Sequence, residues 1–234
     1  MIYIRSIIFN IFFYGGLILT FTVAIPTLLL PSKYALFFGR FLGNYVILLL
    51  NIVLKTKVEF KNLEKIPKEI YFVASAHQSL LETFILQTII KNPMFIIKKE
   101  LLKIPLFGNY LKKIGCIEIA RNTTTKDNLG FFDKVKEVVL NYERPLIIFP
   151  QGTRIKFEEK LPLKKGVGKL YEILNITCLP IVHDAGKVWP KKSFLKYKGK
   201  ITFLLLDPIK PGLDKDVFVK LLEENIYNEI NKLG

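Results

Sequence analysis

The sequence predicts an α/β fold: a mixed, largely buried β-sheet flanked by helices, preceded by an apolar N-terminal helical hairpin in the membrane. Three observations carry this expectation. Beyond residue 56, short β-rich apolar runs alternate with stretches of helical periodicity. Before it stand two long apolar segments without a single acidic residue. The formal net charge is +15, from 35 basic and 20 acidic residues, which favours a polyanionic partner or an anionic membrane surface.

The hairpin comes first. From Ser6 to Pro31 the chain has 26 positions and no charge, whereas about 20 apolar residues suffice to cross a bilayer core as a helix. A cleavable signal peptide would have a shorter apolar region and an A-x-A-like site, which is missing here. In the second segment Lys33, Arg40, Asn44, Asn51 and Lys55 fall on one helical stripe roughly 60° wide at about 100° per residue. Such a helix suits a lipid surface, with its narrow polar face turned to water or to the protein. Pro26 and Pro31 would break the chain between the segments. A hairpin that spans the bilayer and one that dips into a single leaflet both fit. The expected division is a membrane hairpin over 1–55 and an α/β domain over 56–234. Residues 1–55 contribute +4, leaving +11 of the total for that domain. A basic domain tethered in this way would sit on an anionic cytoplasmic leaflet.

Strands are expected at 57–60, 71–75, 94–98, 116–120, 146–149, 178–182 and 201–207, and helices at 79–90, 126–141, 166–174 and 214–232. Phe131, Val135, Val138 and Val139 give the second helix an apolar face, as Phe218, Leu221, Leu222 and Ile226 do for the last. The basic, aromatic stretch 187–200 reads equally as a surface for lipid headgroups and as a solvated loop. No zinc-finger spacing, RNA-binding signature or basic helix beside heptads points to nucleic acid. Cys116 and Cys178 form no C-x-x-C, so nothing requires a disulfide.

Two polar clusters carry the chemistry. In "VASAHQSLLETF" (73–84) His77 follows a strand and Glu82 opens a helix. Ser79 and Glu82 have the S-x-x-E spacing of a capping box, so Glu82 could simply satisfy free backbone N–H groups. Alternatively, with His77 in the loop and Glu82 on the first turn, the carboxylate would fix the imidazole tautomer and leave the other nitrogen free to take a proton. The two readings stand side by side on these residues. No second histidine four residues away and no cysteine cluster suggests a metal. The second cluster is "FPQGTR" (149–154), where Gly152 permits a tight turn, Thr153 offers a hydroxyl and Arg154 a fork of donors matched to phosphate. "KGVGK" (165–169) lacks the spacing of a phosphate loop.

The order of the blocks is more specific than any one of them. An H-x-x-x-x-acid block, then "KKELLKIPLFGNYLKKIGCIEIAR" (98–121), "FPQGTR" and "LPIV" (179–182) resembles the glycerolipid acyltransferase family, most closely its bacterial lysophosphatidic acid acyltransferases. The resemblance covers roughly 55–210 plus the apolar hairpin. It implies His77 as general base for the acceptor hydroxyl, with Glu82 in place of the usual Asp. It implies phosphate ligands in Arg121 and Arg154, with Gly152 and Thr153 beside them and Lys98 or Lys99 as further cations. Phe149, Pro150 and Pro180 would shape the site and the acyl-chain path. Gln151 departs from the acid usual in the third block, so only a hydrogen-bonding role survives there. His183 and Asp184 are discounted as a second dyad, because neighbours on a strand face opposite ways. Backbone N–H groups near Ser79 are expected to hold the oxyanion.

The implied reaction is acyl transfer from an acyl thioester, acyl-CoA or acyl carrier protein, to lysophosphatidic acid, with no cofactor and direct attack on the thioester. The partners are the phosphorylated lysolipid, the thioester donor and membrane lipids, with no nucleic acid; the place is the cytoplasmic face of a bacterial inner membrane. Another lysolipid acceptor (an ornithine or phospholipid lyso form) and a non-catalytic membrane tether are the alternatives.

Overall fold

The computed structural model describes residues 1–120 and 130–233. Two long apolar helices come first, α1 (Ile2–Val23) and α2 (Ser32–Leu54), joined through a 3₁₀ turn at Ile25–Leu28. Pro26 lies in the first turn of that connection and Pro31 caps α2, places where a missing N–H removes no helical bond. Seven strands follow: β1 (Lys57–Lys61), β2 (Tyr71–Ser75), β3 (Met94–Lys98), β4 (Ile117–Ile119), β5 (Leu146–Ile148), β6 (Thr177–His183) and β7 (Lys200–Leu205). They form one sheet in the order β1-β7-β6-β2-β5-β3-β4. Every pairing is parallel except β6 with β7. The sheet is therefore mixed, and the C-terminal ends of β2, β3, β5 and β6 share one edge, where sites in such sheets form.

The remaining helices are α3 (Glu82–Ile89), α4 (Phe107–Lys113), α5 (Phe131–Tyr142), α6 (Gly166–Leu174), α7 (Ala185–Val188) and α8 (Lys215–Lys232). All five residues of β2 are buried, which explains their unbroken apolar reading. Alternation sends Phe72 and Ala74 to one face, where Val135, Leu170 and Phe218 of α5, α6 and α8 cover them. It sends Val73 to the other, with Ile85 of α3 and Phe13 and Leu50 of the hairpin. The strands and helices expected from sequence are present within a few residues. Two helices differ at their starts. The first begins at Glu82 rather than 79 because the Glu82 side chain, turned back, holds the preceding backbone in a loop. The second is described from Phe131, its expected first turn at 126–129 lying outside the described residues.

The hairpin packs along its whole length instead of projecting from the body. Phe9 and Phe13 set their rings edge-on to Trp189, with centroids 5.3 and 4.9 Å away. At the other end Phe21 meets Phe107 and accepts a hydrogen bond from the Tyr110 hydroxyl. Phe9, Phe13, Val46, Leu50 and Leu54 are almost wholly buried, each worth about 1.5–3 kcal/mol. That sum far exceeds thermal energy, so the hairpin is fixed to the domain. Gly43 makes the α2–α3 crossing possible: a Cβ there would stand 2.6 Å from the Phe84 carbonyl oxygen. The polar stripe of α2 does not turn to the protein. Lys33, Arg40, Asn44, Asn51 and Lys55 are exposed, and the inner face is Leu42, Gly43, Val46, Leu49, Leu50 and Leu54. The contact with α3 is not wholly apolar, since Gln87 and Thr88 approach α2 at Gly39 and Gly43. The outer face of α1 exposes Ile4, Ile7, Ile11, Phe12, Ile18 and Leu19.

Candidate active site

The strand β2 ends at Ser75, and the chain turns into the loop that carries His77. Its Nδ1 lies 2.7 Å from Oε1 of Glu82. A carboxylate only accepts, so the hydrogen bond places a proton on Nδ1, and the neutral form of the ring has its lone pair on Nε2. Glu82 is 0% exposed. Its Oε1 also accepts the Gln78 and Ser79 backbone N–H groups at 2.9 Å. Burial alone would raise this carboxyl, but the His77 hydrogen bond, the nearby His183 and the Ser79 N–H outweigh it and hold it below the ordinary glutamate value. One carboxylate thus both accepts loop N–H groups and faces the imidazole, although the reciprocal Ser79 bond of a capping box is not made. The Ser79 hydroxyl, for its part, accepts from Leu81 N–H at 3.1 Å.

This arrangement narrows one expectation, that backbone N–H groups near Ser79 hold the oxyanion. The Gln78 and Ser79 amides are committed to Glu82, and Leu81 N–H to Ser79. These donors cannot also serve an oxyanion, because each N–H here already has its acceptor.

The turn 149–154 meets the same loop. Phe149 stacks on the His77 ring, with centroids 4.1 Å apart and planes 17° from parallel. Ile155 N–H donates to the His77 carbonyl at 2.9 Å. Gly152 has φ +70°, the left-handed region that favours glycine, and its N–H closes the turn on the Phe149 carbonyl at 2.9 Å. Pro150 is buried and accepts from Lys164 N–H, Gln151 is buried, and Thr153 is exposed. A carboxylate at the buried position 151 would need a counter-charge; the neutral Gln151 amide instead leaves Oε1 and Nε2 without a hydrogen bond among the described residues, so the hydrogen-bonding role expected there is not seen. Arg154 is half-buried and lines a cavity of about 560 Å³ with Leu80, Trp189 and the α1 residues Asn10, Ile11 and Tyr14.

Other expected residues are placed differently. Arg121 lies outside the described residues. Lys98 and Lys99 are exposed at the end of β3, Lys98 pairs with Glu100 at 3.1 Å, and neither lines the cavity beside Arg154. Pro180 is buried within β6, level with Ala74 of β2, so it lies beneath the site and not in the cavity wall. A proline is tolerated in this central strand because its nitrogen faces the side where Leu206 donates to its carbonyl and the chain bulges before Ile209 rejoins at Cys178.

Two residues, His183 and Gln78, support the site in roles that the sequence did not suggest. His183 is buried; its Nε2–H donates to the Ala76 carbonyl at 2.9 Å and its Nδ1 accepts from Ala185 N–H at 3.3 Å. Burial pushes this imidazole down beneath the His77 loop. Asp184 instead accepts Thr202 N–H at 2.8 Å; it stands just past β6, at the start of α7, so the alternation expected from sequence is not what parts it from His183. Gln78 accepts Gly186 N–H at 3.1 Å, tying the loop to α7. Among the described residues, no three His, Cys, Asp or Glu side chains cluster so as to hold a metal ion.

A buried carboxylate that orients an imidazole, beside a turn ending in arginine at the C-terminal edge of a mixed sheet, defines a candidate proton-transfer site. Residues 57–184 match the family model described as Acyltransferase. The chain belongs to that acyltransferase family. It is 33% identical over 162 residues to the 1-acyl-sn-glycerol-3-phosphate acyltransferase of Pseudomonas aeruginosa, covering 69% of this chain and 63% of that protein. It is also 33% identical over 161 residues to the protein of the same name from Helicobacter pylori, covering 67% and 66%. The chain thus spans a little under two thirds of the length of these relatives. The fold matches the crystal structure of the 1-acyl-sn-glycerophosphate (LPA) acyltransferase PlsC from Thermotoga maritima, with TM-score 0.83, 22% identity, and coverage of 100% of this chain and 98% of that one.

Proposed function

We propose that the protein transfers a fatty acyl group from an acyl thioester to the free hydroxyl of lysophosphatidic acid, giving phosphatidic acid. The observation that carries this reading is the His77–Glu82 pair, held at 2.7 Å with the carboxylate buried. Glu82 retains the Nδ1 proton, and the His77 Nε2 takes the proton of the acceptor hydroxyl as its oxygen attacks the thioester carbonyl. The tetrahedral intermediate collapses by breaking the C–S bond, and the thiolate recovers the proton from Nε2. No acyl-enzyme is formed. Arg154, with Arg121, binds the acceptor phosphate and aims the hydroxyl. The names borne by the two bacterial relatives support this choice of acceptor.

In the same reading, residues 1–55 form the membrane hairpin and 56–234 the catalytic domain. The two helices, of 22 and 23 residues, are long and apolar enough to cross a bilayer. Because they pack along the domain, they rest with the outer face of α1 in one leaflet, the domain lying on the cytoplasmic side. The test is phosphatidic acid formation and thiol release by the full chain in vesicles supplied with lysophosphatidic acid and an acyl thioester. His77→Ala is expected to lower the rate about 10³-fold while the melting temperature and vesicle binding hold. A wild-type rate in that variant would end the assignment.

A further inference from the structure

A second cavity, of about 460 Å³, lies on the other side of the 187–200 segment and is lined by Lys61, Lys187, Lys198, Lys200, Lys232 and Asp184. It forms beside the β1–β7 edge of the sheet, on the face turned away from the hairpin. Lys57, Glu59 and Lys61 alternate onto one face of β1, while Val58 and Phe60 turn toward the hairpin.

The carboxylates do not balance this charge. Glu59 pairs with Lys200 at 2.8 Å, Glu229 with Lys232 at 2.5 Å, and Asp184 lies 3.7 Å from Lys187. Among the described residues, Lys61 and Lys198 have no carboxylate at ion-pair distance. Lysines on an edge strand often serve only to discourage edge-to-edge pairing. Lys187, Lys198 and Lys232 come from α7, the loop and α8, however, and converge on a concavity that edge protection does not require.

The cavity is linked to the catalytic loop. α7 faces it with Lys187 and Val188, and its Gly186 N–H is bonded to Gln78, next to His77. One short helix therefore separates the lysines from the base.

We infer that this cavity receives the phosphates of a nucleotide-bearing acyl thioester, the adenosine 3′,5′-diphosphate end of an acyl-coenzyme A, with the pantetheine arm running past α7 to His77. The inference rests on the acyl-transfer reading above. The cavity volume lies in the range of about 300–1,000 Å³ typical of small-ligand sites, whereas an acidic carrier protein would dock on an open surface. A lipid headgroup site would adjoin exposed apolar side chains, as the cavity beside α1 does; here the apolar lining is the buried Val188 and the half-buried Leu233.

Calorimetric titration of the full chain in detergent micelles with adenosine 3′,5′-bisphosphate tests the site without turnover. Wild type is expected to bind, and the Lys61→Glu, Lys198→Glu double variant to bind about tenfold more weakly or worse, tenfold corresponding to about 1.4 kcal/mol. In steady state, the double variant should raise KM for palmitoyl-coenzyme A about tenfold while leaving KM for the palmitoyl N-acetylcysteamine thioester and for lysophosphatidic acid unchanged. An equal change for both donors overturns the inference. So does absence of bisphosphate binding, including in an enzyme that takes acyl groups from a carrier protein alone. Lysine-dependent bisphosphate binding by a chain that transfers no acyl group would instead uphold the site and refute the reaction.

Discussion

The two cavities flanking the 187–200 segment differ in almost every respect. The one beside α1 sets Ile11, Tyr14, Leu80 and Phe194 around the half-buried Arg154 guanidinium, with the exposed Lys192 and the buried Lys196 also in its lining. The one beside β7 sets five lysines around Thr202 and a buried aspartate. The first opens beside the exposed apolar side chains of α1; the second has no such neighbours. In the proposed reaction that contrast separates the substrates by solvent: the lysolipid arrives from the hairpin side and the water-borne thioester from the sheet edge, with the base between them. The wall itself is firm. Lys196 is buried within it, its ammonium bonded to the Ser193 and Phe194 carbonyls at 2.9 Å and set 4.9 Å from the Trp189 ring centroid. The Ser6 hydroxyl accepts from Lys196 N–H, and the Asn10 amide donates to the Phe194 carbonyl, strapping the segment to α1.

Perturbing the group between the cavities should produce the largest effect after removal of His77. Glu82→Gln is expected to lower kcat about 10²-fold with both KM values unchanged, because neither cavity is touched; Glu82→Asp should lose less. Initial rates over a grid of donor and acceptor concentrations check this, and a shift confined to one KM would break the symmetry. Arg154→Ala should raise KM for lysophosphatidic acid about tenfold, as loss of a charge-assisted contact worth about 1.5–3 kcal/mol implies, and leave KM for the donor alone. Together with the lysine double variant this gives a crossed pattern, and parallel patterns would mean that the cavities do not sort the substrates.

The smallest effect concerns the wall. Burial pushes the Lys196 ammonium down to about 8, against about 10.4 for a free lysine. Between those values the unfolded chain still holds a proton that the folded chain has released, so stability rises with pH across that interval. Thermal melts from pH 8 to 10 should show the rise in wild type and not in Lys196→Met. A parallel rise in both would remove the buried ammonium as its source.

How much of this was legible in the sequence depended on distance along the chain. His77 and Glu82 are five residues apart, so a loop and one helical turn bring them together, and "FPQGTR" is contiguous. The alternation of apolar runs gave the sheet and helices because burial on both faces leaves that pattern. His183 was hidden: the Ala76 carbonyl it holds is 107 positions away, and only the pairing of β2 with β6 brings them together. The lysine cavity was hidden in the same way, its members running from Lys61 to Lys232 and each reading as an ordinary solvated charge. The direction of the α2 stripe could not be read from periodicity, which gives a face and not its partner. The Gln78 and Ser79 amides dropped out of the oxyanion expectation because a free N–H and one already taken by a folded-back side chain look alike in a sequence.

The hydrogen bond from Ile155 N–H to the His77 carbonyl joins the main chain beside the arginine to the main chain of the base. In the proposed reaction, the interval between phosphate anchor and proton acceptor is then set by peptide geometry, with only the last ångströms left to flexible side chains. The backbone acts as a fixed gauge, and an acceptor whose hydroxyl stands one carbon farther from its phosphate would be bound yet held out of register.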